Sequence, residues 1–423
     1  MSITLLVLFG VIALLGVPLS LSLGLSAVIT LWYYGLPVAM ITQNMATSIN
    51  SFLLIAVPLF ILAGQIMERG GLSERIFDAA EAVVGRFRGG LGYVNIASSF
   101  VFGGISGSSV ADIASLGPIS IRAMTTRGYP LPYSAALTLI TATLATLVPP
   151  SILMIVAASS SGQSVGAALA GGLGPGILLA VALACYNGYI SWRRGYGEVK
   201  RQTARHSLGA IGRAVPAVGA PVIILTGMFS GIVTPTEAAG LAVLYTFLVG
   251  FLVYREIGFR DLVPLIVHSG RTAGSVLLIL MVANAATFIF TVDLLPNKTA
   301  GLMSHIASSG FATLLLMGIV FLIVGMLMDI VAAALMLIPV MMPAAVLAGV
   351  DPLHFVVFMT ACLAVGLASP PVGTCLFAAA QVARIPVERL TLATVPFYIL
   401  NILVLVAVAA FPEIVLWPAR ILT

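Results

Sequence analysis

The chain has 423 residues, of which 60% are hydrophobic and only 8% are charged. Soluble domains carry about 25% charged residues, so this composition excludes a soluble enzyme or binding module and indicates a polytopic membrane protein. The formal net charge of +5 is explained by basic residues on the cytoplasmic side of the lipid bilayer, and no nucleic-acid partner is expected. The three cysteines lack CxxC spacing, so we expect neither a disulfide nor a cysteine metal site.

The first half of the chain, residues 1–192, predicts five membrane crossings, an arm and a hairpin. The first apolar run has no charged leader and no cleavage site, so we interpret it as a retained span. Residues 71–87 predict an amphipathic arm along the cytoplasmic interface, with Ser73 as its N-cap. Residues 92–124 predict a helical hairpin that enters and leaves the membrane on one side. The crossings are predicted at 3–19, 20–36, 50–67, 132–160 and 164–192.

The stretch "FGGISGSSVADIASLGP" (102–118) forms the tip of that hairpin and interrupts an apolar run with glycines, serines and Asp112. Irregular backbone inside a membrane is tolerated only where it is buried in protein or lines a cavity. Pro149 and Pro150 break the crossing that follows. The first half therefore predicts two interruptions that expose backbone groups to a common site.

The strongly polar segment 193–213 predicts a cytoplasmic linker, because it is rich in Arg and Lys. The second half, 214–423, begins with a helix-start signal: Thr234 as N-cap, Pro235 in the first turn and Glu237 at the third position. Glu237 could instead carry protons or ions, but capping accounts for it. A hairpin is predicted at 312–346, and crossings at 215–232, 235–254, 273–294, 355–380 and 390–411.

The two halves repeat their landmarks at a nearly constant offset. Pro149 and Pro370 are 221 positions apart, and so are Pro175 and Pro396. Gly103 and Gly325, which open the Gly-interrupted segments of the two hairpins, have nearly the same offset. Five crossings per repeat is an odd number, so the two repeats must be inverted, and both termini are predicted to be periplasmic. The fold class is thus an all-α polytopic membrane protein with about ten transmembrane helices and two re-entrant hairpins.

Inverted repeats with discontinuous helices are typical of secondary transporters. Carbonyl groups at the end of a half-helix can coordinate a cation, and N–H groups at the start of the next attract an anion. The matching breaks are the glycine tips of the hairpins and the Pro-Pro pairs at 149–150 and 370–371. Ligation by oxygen alone suits a hard cation such as Na⁺. Close helix packing is the alternative role for such small residues.

Asp112 and Asp329 are the carboxylates deep within the predicted membrane segments. Intramembrane ionisable residues are functional candidates, so each has two possible roles: coupling to an ion, or bracing its hairpin through hydrogen bonds to the backbone.

An enzyme is not expected. "GISG" (104–107) matches the GxSG of rhomboid-type proteases, but that chemistry needs an intramembrane histidine base, and all four histidines are predicted at or near loops. The two aspartates are not in the GxGD context of an aspartyl protease. A simple channel would not need four broken helices at one depth.

At these residues the chain resembles the large membrane (M) subunit of the tripartite ATP-independent periplasmic (TRAP) transporters. The resemblance rests on "GGISGSSVADIASLGPI", "VPPSILMI", "GIVTPTEAAGLAVLY", "MDIVAAALMLIPVMMP" and "SPPVGTCLF". It implies an elevator-type, Na⁺-driven importer of an organic acid anion, such as a C4-dicarboxylate or sialic acid, in the bacterial inner membrane. A stator-like scaffold and a mobile transport domain are implied. So are two partners, a small four-helix membrane (Q) subunit and a periplasmic substrate-binding protein (P subunit).

The resemblance also implies site residues. One Na⁺ site would use carbonyl or hydroxyl groups around Gly103, Ser106, Ala145, Val148 and Pro149. The other would use Gly325, Gly366, Ser369 and Val372. The anionic substrate would lie between the hairpin tips, near Ser108, Ser109 and Thr374. The chain departs from the family at "TATLATL" (141–147), where Thr141, Thr143 and Thr146 would supply the hydroxyl groups of a serine-rich run.

The alternative is a related broken-helix carrier, such as a stand-alone divalent-anion/Na⁺ symporter or an arsenite-type permease. Neighbouring genes for a four-span protein and a secreted binding protein would favour the TRAP interpretation.

Overall fold

The computed structural model describes residues 1–49, 52–197, 204–306 and 309–423. Throughout these ranges the chain is helical and contains no β-strand, which confirms the predicted all-α class. The predicted linker lies partly outside the described residues, at 198–203, and the predicted crossing 50–67 starts outside them, at 50–51.

The described first half consists of ten α-helices and two short 3₁₀ segments, at Phe52–Ile55 and Ala142–Thr146. The α-helices are α1 (Ser2–Leu14), α2 (Leu19–Tyr33), α3 (Ala39–Ser48), α4 (Ala56–Arg69), α5 (Leu72–Val84), α6 (Gly90–Ser106), α7 (Ser109–Thr126), α8 (Leu131–Thr141), α9 (Ile152–Ser161) and α10 (Val165–Arg194).

The described second half has a similar order of helices, with one π-helical segment at Val249–Val253. The α-helices are α11 (Ala204–Phe229), α12 (Pro235–Leu248), α13 (Phe259–Val292), α14 (Leu295–Ile306), α15 (Gly310–Leu327), α16 (Ile330–Leu347), α17 (Pro352–Leu367), α18 (Thr374–Ala383), α19 (Val387–Ala410) and α20 (Glu413–Leu422).

Within the described ranges, seven helices are long and apolar enough to cross a membrane: α10, α11, α12 with its π-helical extension, α13, α15, α16 and α19. The helices α1 and α2 are apolar but shorter, with 13 and 15 residues. The four half-helices α8, α9, α17 and α18 are also short. A half-helix cannot span alone, because about 20 residues are needed to cross the hydrocarbon core.

Side chains cap several of the helices that begin inside the bundle. Ser108 caps α7, Ser151 caps α9 and Asp329 caps α16, each accepting from backbone N–H groups of the first turn. These bonds satisfy donors that would otherwise be left bare inside the protein. The predicted capping box at the start of α12 is confirmed, since Thr234 Oγ1 accepts from Glu237 N–H and Glu237 Oε2 accepts from Thr234 N–H.

The half-helices form the core of the bundle. Every residue of α17 from His354 to Leu367 is buried, and so are most residues of α8 and α9. The hairpin α6–α7 packs on α8 and α18, and the hairpin α15–α16 packs on α17. The helices α2, α4, α12 and α13 pack on one another in pairs outside this core.

One sequence prediction of local structure is wrong. Ser73 does not cap the arm: α5 begins at Leu72, and its N-cap is Gly71 in a left-handed conformation with φ 68°. Glycine adopts this conformation without a steric penalty, so the helix begins two residues earlier than predicted, and Ser73 is buried. The crossing predicted at 273–294 is part of the 34-residue α13, which begins at Phe259. The polar residues in the first turns of α13 hid its N-terminal end from a prediction based on apolar runs.

Candidate functional site

A cavity of about 660 Å³ lies between the two hairpin tips and the two helices α4 and α13. The hairpin tips contribute residues 106–111 and 329–331. The segments after the Pro-Pro pairs contribute Ile152, Leu153 and Thr374. The structure therefore places all four predicted interruptions around one chamber.

Four helix N-termini meet at this chamber. Its wall includes the first residues of α7 (109–111), α9 (152–153), α16 (330–331) and α18 (Thr374). Each N-terminus carries about half a positive charge from its aligned peptide dipoles and unpaired N–H groups. Four N-termini beside one chamber are an arrangement that favours an anion.

The first hairpin tip contacts the first Pro-Pro break through backbone. A Cβ atom on Gly103 would lie 2.7 Å from the Cα of Ala145, and one on Gly104 would lie 3.0 Å from the carbonyl oxygen of Pro149. Val148 adjoins the same glycine. The predicted set Gly103, Ala145, Val148 and Pro149 is thus brought together. Ser106 lies at the end of α6 and lines the cavity.

The second hairpin contacts the second break in a similar way. A Cβ atom on Gly325 would lie 3.0 Å from the carbonyl oxygen of Leu363 and 3.3 Å from the Cα of Gly366. Ser369 Oγ donates to the carbonyl of Val365 at 2.7 Å, so its lone pairs are available to a cation. The side chain of Val372 is 46% exposed, and only its backbone carbonyl could act as a ligand.

The three predicted substrate residues all line the cavity. Ser108 Oγ accepts from Ala111 N–H at 3.4 Å, which leaves its own hydrogen available as a donor. Ser109 Oγ is buried and has no hydrogen-bond partner among the described residues. Thr374 is the first residue of α18 and faces the cavity from the opposite side. The structure thus places three hydroxyl groups beside the helix N-termini.

The two intramembrane aspartates have different environments. Asp329 lines the cavity, and its Oδ1 accepts from the N–H groups of Val331 at 2.9 Å and Ala332 at 3.2 Å. These two hydrogen bonds are the contacts that a bracing role requires. Asp112 is fully buried within α7, away from the cavity wall, and its Oδ2 accepts from Ser99 Oγ at 2.8 Å.

Sequence reasoning missed the wall opposite the hairpin tips. It consists of one face of α4 and one face of α13, with the polar residues Gln65, Glu68, Arg69, His268 and Thr272. The signal was available, because His268 and Thr272 are four residues apart in an apolar helix and share a face. Gly64 lets α4 approach closely, since a Cβ atom there would lie 3.3 Å from the Cα of Ser106.

The placement of the histidines at or near loops is wrong for His268. His268 lies within α13, and His354 lies in the first turn of α17 with its Nε2 2.8 Å from the carbonyl oxygen of Val408. His354 is hydrogen-bonded to α19. His268 and Ser106 both line the cavity, and the structure shows no hydrogen bond between these two described residues.

Residues 6–414 match the family described as the tripartite ATP-independent periplasmic transporter, DctM component. The chain belongs to this family. It is therefore a TRAP large permease, a multi-pass protein of the bacterial inner membrane and a transporter component.

Among its relatives, the isethionate TRAP transporter permease protein DctMQ of Oleidesulfovibrio alaskensis is 36% identical over 96% of the chain. The chain spans 65% of the length of that relative. The sialic acid TRAP transporter large permease protein SiaM of Vibrio cholerae is 34% identical, with 88% of each chain covered. The C4-dicarboxylate large permease DctM of Pseudomonas aeruginosa is 33% identical, covering 93% of this chain and 92% of its own.

Two solved structures share the fold of this TRAP permease at low identity. The YdaH transporter of Alcanivorax borkumensis has a TM-score of 0.61 and 13% identity, covering 88% of this chain and 87% of its own. MtrF of Neisseria gonorrhoeae, from a class of antimetabolite efflux pumps, has a TM-score of 0.63 and 12% identity, covering 87% and 82%. These similarities show that the chain shares its fold with both proteins.

Proposed function

We propose that this permease imports an organic acid anion, driven by the co-transport of Na⁺. The observation that carries the proposal is the convergence of four half-helix N-termini on one cavity. The first residues of these helices and the residues Ser108, Ser109 and Thr374 all line the cavity, which supports an anionic ligand. The named relatives transport isethionate, sialic acid and C4-dicarboxylates, which supports an acidic substrate.

The Na⁺ sites of the proposal lie at the two contacts between a hairpin and a Pro-Pro break. Each break ends a half-helix whose last carbonyl groups lack helical partners, and each is met by a glycine that brings a second backbone close. Oxygen-only ligands of this kind suit a hard monovalent cation. The sites comprise Gly103, Ser106, Ala145, Val148 and Pro149 in the first half, and Gly325, Gly366, Ser369 and Val372 in the second.

We further propose two inverted repeats, 1–192 and 214–423, joined by the cytoplasmic linker 193–213. The parallel order of an arm, a hairpin, a broken helix and a long helix in each half supports the repeat. The hairpins and broken helices would form the mobile domain of an elevator, moving against α2, α4, α12 and α13. A small four-helix membrane subunit and a periplasmic substrate-binding protein complete the proposed transporter.

Uptake in proteoliposomes tests the function. The permease, its small membrane subunit and its binding protein are reconstituted together and given labelled organic acids under an imposed Na⁺ gradient. We expect uptake that requires all three proteins and an inward Na⁺ gradient. Uptake by the permease alone would instead favour the stand-alone symporter, and uptake driven equally well by K⁺ would exclude Na⁺ coupling.

Cysteine labelling tests the topology. In a cysteine-free background, Arg194→Cys at the end of α10 and Thr423→Cys at the C-terminus should react with a membrane-impermeant maleimide from opposite sides. Labelling of both from the same side would contradict the inverted arrangement, because an odd number of crossings must separate the two positions.

A further inference from the structure

Asp112 is a fully buried carboxylate that the proposed anion and Na⁺ sites leave unexplained. Its side chain is 0% exposed, and its Oδ1 has no hydrogen-bond partner in the described part of the chain. None of the ion pairs formed by the described residues reaches it. A buried charge without a partner is strongly destabilising, so the carboxyl group must either hold a proton or have a cation beside it.

A chain of hydrogen-bonded side-chain oxygens starts at this carboxyl group. Ser99 Oγ lies 2.8 Å from Asp112 Oδ2 and 3.3 Å from Thr141 Oγ1. Thr141 Oγ1 lies 3.2 Å from Asn95 Oδ1. All four side chains are fully buried, and they come from the three neighbouring helices α6, α7 and α8.

Hydrogen bonds at the edge of the cluster orient the oxygens inward. Asn95 Nδ2 donates to Thr138 Oγ1 at 2.8 Å, so its amide oxygen faces Thr141. Thr141 can direct its hydrogen to the carbonyl of Thr138 at 3.1 Å, which frees its lone pairs. The cluster thus offers one charged and three neutral oxygen ligands, the donor set of a hard cation.

We propose that Asp112, Ser99, Thr141 and Asn95 bind a Na⁺ ion inside the first hairpin bundle, separate from the sites at the two Pro-Pro breaks. The ion compensates the buried charge and links α6, α7 and α8. It also supports the substrate site, because Asp112 N–H donates to the carbonyl of Ser108 at 3.0 Å, at the hairpin tip. Of these statements, only the support of the substrate site depends on the proposed import function.

The site belongs to the first half alone. With the offset of 221 between the halves, Asp112 corresponds to Ala333, which carries no ligand. A third ion would therefore add one Na⁺ to the two expected from the paired breaks.

Direct ion binding tests the proposal without any substrate. The purified full-length permease is equilibrated with ²²Na⁺, with choline as the replacement cation, and the bound ions per protein are counted. Asp112→Asn keeps the shape but removes the charge, so it should bind one Na⁺ fewer than the wild type. The melting temperature of this variant should also rise less with added NaCl, and in Na⁺-free buffer it should exceed that of the wild type.

Two further variants make the test independent of a folding defect. Thr141→Val keeps the carboxylate and removes one neutral ligand, so it should weaken one class of Na⁺ by about fivefold. Ser120→Ala is the matched control: its hydroxyl is also on α7, buried and without a partner among the described residues, and it should change neither count nor affinity. The proposed site is excluded if Asp112→Asn binds as many Na⁺ ions as the wild type, or if Thr141→Val binds Na⁺ with unchanged affinity. The buried Asp112 would then be protonated. Either result leaves the proposed import open to its own uptake test.

Discussion

The first hairpin turns through Gly107 in a left-handed conformation (φ 58°) and starts its return helix with the neutral cap Ser108. The second hairpin turns through the extended residue Met328 and starts its return helix with the carboxylate Asp329. The first Pro-Pro break is buried throughout residues 147–151, whereas Pro371 and Val372 at the second break are exposed.

The difference shows two ways to hold a helix break in place. In the first half, close backbone contacts of Gly103 and Gly104 with Ala145 and Pro149 fix the hairpin against the first break. In the second half, two charge-assisted hydrogen bonds to one carboxylate fix it at the cavity wall. The first hairpin should therefore be sensitive to added volume, and the second to the loss of a cap.

The largest expected effect is from added volume at the first hairpin. Gly103→Ala places a methyl group 2.7 Å from backbone, which must shift, so we expect loss of uptake and a destabilisation of about 1–3 kcal/mol. Gly325→Ala meets backbone at 3.0 Å and should retain partial uptake. Gly274→Ala on α13 has no atom within 4 Å and should be neutral. Uptake and melting temperature are measured for all three variants. Equal losses of uptake and of melting temperature in Gly103→Ala and Gly325→Ala would contradict the proposed difference between the two hairpins.

The next prediction compares ligands at the two ion sites. Ser369→Ala removes a hydroxyl oxygen beside the second break, so the Na⁺ concentration for half-maximal uptake should rise about fivefold, which corresponds to about 1 kcal/mol. Ser106→Ala should act in the same direction at the first site. Thr360→Ala is the control, because its buried hydroxyl donates to Val357 within α17. Unchanged Na⁺ dependence with normal uptake in Ser369→Ala would remove this residue from the site.

Loss of the carboxylate cap should destabilise the second hairpin. Asp329→Ala removes the acceptor of two backbone N–H groups and should cost about 1 kcal/mol, seen as a lower melting temperature. Asp329→Asn should keep most of the stability, because asparagine caps as well as aspartate. Equal melting temperatures in the alanine variant and the wild type would exclude bracing. An asparagine variant that keeps its stability but loses uptake would give the charge a coupling role.

The smallest effect is expected at the far end of the first hairpin. Arg127, at the end of α7, forms an ion pair with Glu81 on the arm α5. Both side chains are partly exposed, so Arg127→Ala should cost at most about 1 kcal/mol. The loss should shrink in high salt because of screening. Arg122→Ala, on an exposed position of the same helix, is the control; a larger loss there would contradict the pairing.

The sequence alone determined the helical class, the four interruptions and the capping box at Thr234. These features depend on local chemistry. Long apolar runs are stable in a membrane, and proline removes a backbone hydrogen-bond donor. In Thr-Pro-x-Glu, the two polar side chains accept hydrogen bonds from the free backbone N–H groups at the start of the helix. The order of the hairpins and broken helices was predictable for the same reason, because the residues that mark each of them lie in one short stretch of the sequence.

Only the tertiary structure decided which of these features meet. The convergence of four N-termini, the polar wall of α4 and α13, and the burial of Asp112 among Ser99, Thr141 and Asn95 join residues that are distant in the chain. The local sequence pattern also gave the wrong N-cap at Ser73. The arm helix is instead capped by Gly71 in a left-handed conformation, which other residues adopt at an energetic cost. Burial and the approach of a second backbone depend on packing between helices, and a single helix does not specify them.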